Sequence, residues 1–126
     1  MRQLLDTHSF IWFITGDPRI SFDLRLQIEN NENLLSIASV WEIAIKSSLG
    51  KLNLGMSLDA LVEQEIIGNG IELLDITTKH LAVVATLPLH HRDPFDRLLV
   101  GQAMVEKLPI VGADVVFDAY KIQRLW

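Results

Sequence analysis

Five short apolar runs alternate along this chain with segments of helical period. The runs are Arg2–Leu5, Leu34–Ile37, Ile71–Ile76, Pro109–Val111 and Ile122–Leu125. Strands that are apolar on both faces, with helices between them, require a parallel sheet covered on both sides, because each crossover lays a helix against it. The expected fold is therefore α/β, a three-layer α/β/α sandwich with a central parallel sheet. At 126 residues without repeats or a linker, residues 1–126 read as a single domain.

The intervening segments carry recognisable stops and starts. A helix over Ser9–Ile14 stops at Gly16-Asp17-Pro18, and Ser21–Asn30 presents Ile20, Leu24 and Ile28 on one stripe. A third helix runs from Ser39 to about Ser48, and a fourth, Ser57–Ile67, starts at a serine cap. Lys79–Thr86 closes at Pro88. Asp93-Pro94 then opens a long helix to about Glu106, with Asp93 as cap and Pro94 at the first helical position. A short helix starts at Val115.

Parallel sheets place their sites at the carboxyl ends of strands. Asp6 follows the first run, Glu42 lies early in the helix after the second, and Asp114 ends the fourth; Asp96 heads the long helix. Each has an ordinary reading of its own. Asp6 and Asp114 fit helix caps. Ser39-Val40-Trp41-Glu42 fits a capping box, and Glu42 with Lys46 an i,i+4 pair. Asp96 is an acid in a first turn, where the helix dipole favours it, yet it heads the apolar stripe Leu99, Val100, Ala103. Those separate readings do not explain why such acids recur at one edge of one sheet. Convergent carboxylates repel one another unless a hard cation neutralises them. A Mg²⁺ or Mn²⁺ site performing metal-assisted hydrolysis is the expectation, with Asp6, Glu42, Asp96 and Asp114 as both its metal ligands and its catalytic residues.

Other chemistries find less support. There is no cysteine, so thiolate sites and disulfides are excluded and a reducing cytosol is permitted. His80, His90 and His91 lack zinc-site spacing, and no nucleophilic serine motif or P-loop is present. A net charge of −5 argues against general nucleic-acid binding, but a cation-loaded acidic site still attracts phosphate. Thr7 beside Asp6 suits a hydrogen bond to the carboxylate or to substrate, and Lys46, Arg92 and Arg97 suit neutralisation of phosphates. Trp12, Trp41 and Phe95 read as core. A phospho-receiver module, also α/β with Mg²⁺, needs an acidic pair after the first strand, which Asp6-Thr7 lacks. With no secretory leader pattern and no apolar stretch near the roughly 20 residues of a membrane span, a cytoplasmic, membrane-free protein is expected.

The chain resembles the PIN-domain family, specifically the VapC-type toxins of prokaryotic toxin–antitoxin pairs. The resemblance rests on Leu4-Leu5-Asp6-Thr7-His8 and on Ser36 through Lys46 with Val40-Trp41-Glu42-Ile43 at its centre. Gly50-Lys51-Leu52, Leu87-Pro88, His91-Arg92-Asp93-Pro94-Phe95-Asp96-Arg97-Leu98-Leu99, and Ala113-Asp114 before Phe117 and Tyr120 complete it. It implies a PIN fold and a Mg²⁺- or Mn²⁺-dependent endoribonuclease, with Asp6, Glu42, Asp96 and Asp114 matching the family's acidic positions. It also implies an RNA substrate, a small cognate antitoxin protein and a homodimer. A DNA-directed nuclease and a catalytically silent binding module on the same scaffold are the alternatives. Two departures stand out: Gly112 where similar sequences usually carry Thr or Ser, and Gly101 where Ala is usual, the latter expected to cost only helix propensity.

Overall fold

The apolar runs form one parallel sheet in the computed structural model, which describes all residues, Met1–Trp126. The strands are β1 (Arg2–Leu5), β2 (Glu32–Ser36), β3 (Glu72–Leu74), β4 (Ile110–Val111) and β5 (Arg124–Leu125), in the spatial order β3-β2-β1-β4-β5. Every neighbouring pair is parallel. The chain builds outward from β1 through β2 to β3, then returns to place β4 on the other side of β1. That reversal puts a topological switch point between β1 and β4, where α/β sheets open a crevice at their carboxyl ends.

Side chains alternate across the sheet as the pleat dictates. Leu5, Leu35 and Val111, aligned in register, enter one core with Phe10, Leu24, Ile28 and Ile43. Leu4, Leu34 and Ile110 enter the other with Leu99, Val100 and Phe117. Two cores on opposite faces of one sheet make the three-layer sandwich expected from the sequence. Full burial of each such side chain contributes about 2 kcal/mol.

The helices are α1 (Thr7–Thr15), α2 (Phe22–Glu29), α3 (Ile37–Ser48), α4 (Leu58–Ala60), α5 (Thr78–Thr86) and α6 (Pro94–Glu106). α4 passes into a π-helical stretch, Leu61–Ile66, and a 3₁₀ turn, Ile67–Asn69; a second 3₁₀ turn spans Val115–Ala119. No helix is long and apolar enough to cross a membrane. Ser21 and Ser57 cap α2 and α4, and Asp93 caps α6 by accepting from the N–H groups of Phe95 and Asp96.

Two sequence expectations need correction. The capping box at Ser39 and Glu42 does not form, because α3 begins directly where β2 ends. Ser36 is its cap, accepting from the Ala38 N–H, and Ser39 and Glu42 lie inside the helix. Gly101 does more than weaken a helix. A Cβ there would stand 2.8 Å from Val84 Cγ2 and 3.1 Å from the His80 carbonyl oxygen, so the glycine is what lets α5 and α6 approach this closely. Gly101→Ala is expected to lower stability by about 1–3 kcal/mol through overpacking, although propensity alone would raise it by about 1 kcal/mol. Urea unfolding distinguishes the two signs.

Candidate active site

Asp6 is the first residue after β1 and the cap of α1. Its Oδ1 accepts from the Ser9 N–H at 2.8 Å, and its own N–H donates to the Val111 carbonyl, which brings it beside Gly112 just after β4. The side chain is buried, and its Oδ2 lies against Gly112, where a Cβ would come within 2.9 Å. One carboxylate oxygen therefore holds the helix while the other remains at the sheet edge. Burial holds the Asp6 carboxyl above its ordinary range; the Ser9 hydrogen bonds and His8 oppose this, and Glu42 adds to it.

Glu42 projects from α3 and is buried, unlike a surface helix acid. Lys46, one turn later, pairs with it at 2.9 Å and supplies the compensation that a buried charge requires. The α3 and α1 starts are tied together by the buried Thr7 hydroxyl, which donates to Ser39 Oγ at 2.9 Å. Thr7 thus sits next to Asp6 with its hydroxyl hydrogen already engaged.

Asp96, in the first turn of α6, is also perturbed by its surroundings. Burial, then the charges of Asp93, Asp6, Glu42 and Asp114, push its carboxyl from the ordinary 3.8 to about 7. Fields from Asp6, Glu42 and Asp114 all reach it, so the four sequence-selected acids share one electrostatic neighbourhood. Asp114 is exposed and caps the 3₁₀ turn by accepting from the Val116 N–H. With Asp6, His8, Trp12 and Ala113 it lines an open cleft of about 340 Å³. Asp118 faces solvent and pairs with Arg124, outside this group.

Lys46 and Arg97 have partners within the protein. Lys46 is committed to Glu42. Arg97 donates to the Pro88 carbonyl at 2.9 Å and the Leu87 carbonyl at 3.3 Å, so it fastens the segment before α6 rather than presenting its fork to a phosphate. Trp41, expected in the core, is 58% exposed and meets the half-buried Phe95 edge-on at 5.3 Å. It occupies the outward face of α3, opposite Ala38, Ser39, Glu42 and Ile43.

Sequence reasoning passed over His8 and Trp12 as site residues. They are four apart on α1, the spacing that puts side chains on one face, and their rings lie 5.7 Å apart beside Asp6. His91 and Tyr120 also went unassigned; no local spacing joins them, since 29 residues separate the pair.

The donor chemistry suits a hard cation. Asp6 and Asp96 are both held towards the protonated form, by burial and then by neighbouring acids, and only Glu42 has a lysine partner. No three His, Asp or Glu side chains stand close enough to form a ready-made cage. A Mg²⁺ or Mn²⁺ ion here would be held partly through water, since Mg²⁺ takes one or two carboxylates directly and keeps much of its hydration.

Comparison with known proteins bears on this arrangement. No protein of curated function matches the chain in sequence. One chain in the crystal structure of VapBC2 from Rickettsia felis, bound to a DNA fragment from its promoter, superposes with a TM-score of 0.73. The match covers 99% of this chain and 98% of that one at 17% identity, a likeness of fold. The PIN domain profile matches residues 4–123, a span that holds all four acids from Asp6 at the end of β1 to Asp114 beyond β4. The chain belongs to the PIN domain family.

Proposed function

We propose that this chain is a divalent-metal-dependent endoribonuclease, the VapC-type toxin of a toxin–antitoxin pair, whose centre is formed by Asp6, Glu42, Asp96 and Asp114. The observation that carries the reading is the Asp96 carboxyl, pushed to about 7 by burial and by four neighbouring acids. A self-repelling group of this kind weakens the fold and finds its use when a cation joins it. Membership of the PIN domain family supports nuclease chemistry, and the likeness to VapBC2 supports a small antitoxin as partner.

Asp6 and Asp96 would hold Mg²⁺ or Mn²⁺, with Asp114 completing the ring at its solvent side. When bound, the cation supplies Lewis-acid charge for hydrolysis of a phosphodiester. Lys46 pairs with Glu42 and orients it within the buried face of α3. Thr7 fixes the start of α1 to α3 and so maintains the spacing between Asp6 and Glu42. Asp6, capping α1 with one oxygen, cannot rotate freely, and that pre-organises the other oxygen. In the net reaction water adds to phosphorus, the ester bond to one ribose oxygen breaks, and that oxygen leaves with a proton. The reading places the protein in the cytoplasm with its RNA substrate, and includes a homodimer.

Purified full-length protein, free of antitoxin, is to be incubated with total cellular RNA and with single-stranded DNA in Mg²⁺, Mn²⁺ or EDTA, beside Asp6→Asn. Discrete RNA fragments that need metal and vanish in the variant are expected. Cleavage of DNA alone would assign a DNA-directed nuclease. No cleavage of either by folded, metal-bound protein would make the domain a silent binding module.

A further inference from the structure

Three buried side-chain polar atoms lack a hydrogen-bond partner, and one of them, His91 Nε2, faces the acidic cluster. It lies 3.8 Å from Asp96 Oδ2. The opposite ring nitrogen, Nδ1, is 2.7 Å from the hydroxyl of Tyr120, which is itself buried and edge-on to the rings of both His90 and His91. The Tyr120 oxygen also stands 3.5 Å from Arg97 Nη1.

Donor and acceptor capacities give this chain a direction. A guanidinium only donates, so the Tyr120 oxygen can only accept from Arg97. The hydroxyl proton of Tyr120 is then available to His91 Nδ1; in that arrangement Nδ1 accepts and the ring proton is on Nε2. A histidine's tautomer is set in this way by the bond its other nitrogen makes. In that arrangement the Nε2–H is the ring's donor nearest Asp96, with Nε2 3.8 Å from Oδ2, about 1 Å beyond hydrogen-bond length.

We propose that His91 is a positioning residue: held by Tyr120, its Nε2–H fixes one oxygen of Asp96 and leaves the other for the cation. The proposal rests on the metal-dependent reading above and deepens it. It also gives Arg97 a place at the head of the relay, through Tyr120, in keeping with its attachment to the Leu87 and Pro88 carbonyls. A purely structural role, in which His91 and Tyr120 only pin the segment before α6 to the 3₁₀ turn, would lower thermal stability and leave metal affinity unchanged.

The test is Mn²⁺ affinity, read by electron paramagnetic resonance of the free ion. It uses the full chain as wild type, His91→Phe, His91→Gln, Tyr120→Phe and the double variant His91→Phe/Tyr120→Phe. Groups that orient metal ligands typically change metal affinity by about 10–100-fold when removed. His91→Phe is expected to weaken Mn²⁺ binding about tenfold, and His91→Gln, which keeps a side-chain N–H donor, to recover most of the loss. Tyr120→Phe, which keeps the ring and removes only the hydroxyl, is expected to weaken binding several-fold. It should add nothing to His91→Phe, since residues acting as one unit are non-additive. Should His91→Phe fail to fold, Tyr120→Phe and His91→Gln carry the test.

Wild-type affinity in folded His91→Phe or Tyr120→Phe overturns the positioning role and leaves the nuclease reading standing. So does a loss in His91→Gln equal to that in His91→Phe. A wild type that binds no Mn²⁺ overturns the metal-dependent reading itself, and the proposal with it.

Discussion

Asp96→Asn is expected to abolish RNA cleavage while making the metal-free protein more stable at neutral pH. Removing a charge that supports the reacting phosphate through a bound cation should cost on the order of 10³-fold in kcat. The stability effect follows from proton linkage. In the metal-free fold the Asp96 carboxyl keeps its proton up to about pH 7, whereas in the unfolded chain it releases it near 3.8. Between those values the folded state binds more protons, so stability falls as pH rises. The contribution is complete below pH 3.8 and gone above about 7. Asparagine never ionises, so the variant's thermal unfolding curve should lack this decline. The gain at pH 8 should be of order 2 kcal/mol, about half of what the full shift would give, because Asp96 retains some contact with water. Mg²⁺ should then raise the wild-type melting temperature more than the variant's. Asp93→Ala is the control: it removes the cap of α6, costs about 1 kcal/mol and leaves cleavage largely intact. Near-wild-type cleavage by folded Asp96→Asn would remove Asp96 from the centre.

Which parts of this site a reader of the sequence could find depends on whether the signal is local. The positions of Asp6, Asp93 and Asp96 in the fold were legible because a strand end and a helix start each leave a compositional mark: an apolar run before one, an Asp-Pro pair at the other. The same logic misled at Ser39. The run Ser39-x-x-Glu42 satisfies the capping-box pattern, but β2 passes into α3 without a loop, so the helix starts a turn earlier, at Ser36. Ser39 is then free to take a long-range partner, the Thr7 hydroxyl. Trp41 read as core because its neighbours are apolar, yet the face of α3 that packs is set by Ala38 and Ile43, and Trp41 points the other way. Arg97 lies near the acids in sequence, but the direction of its side chain is decided by carbonyls nine and ten residues earlier. Gly101 and Gly112 carry no side chain to read at all. Their meaning lies in what their neighbours would strike, and only the packed fold supplies those neighbours.

Gly112→Ala should inactivate the protein although it adds one methyl group and touches no charge. Gly112 is not among the glycines with positive φ, so alanine meets no backbone strain and the experiment isolates the new Cβ. That Cβ would stand 2.9 Å from Asp6 Oδ2, 3.2 Å from Asp6 Cγ and 3.2 Å from Phe117 Cε2. Something has to yield. Phe117 is fully buried in the core beneath α6, and moving it costs about 1–3 kcal/mol, the usual range for overpacking. Asp6 is the cheaper group to displace, since leaving its bond to the Ser9 N–H costs about 1 kcal/mol, the value of a lost cap. The expected result is therefore a modest fall in melting temperature, about 3–5 °C, with a loss of cleavage on the order of 100-fold, because a displacement of about 1 Å in a catalytic group has that effect. Mn²⁺ affinity should fall with it, since the displaced oxygen is the one left free by the cap. Here Gly112 and Asp6 fit one another. A Gly112→Ala protein with wild-type cleavage and metal affinity would mean that Asp6 does not work from the position it holds beside β4.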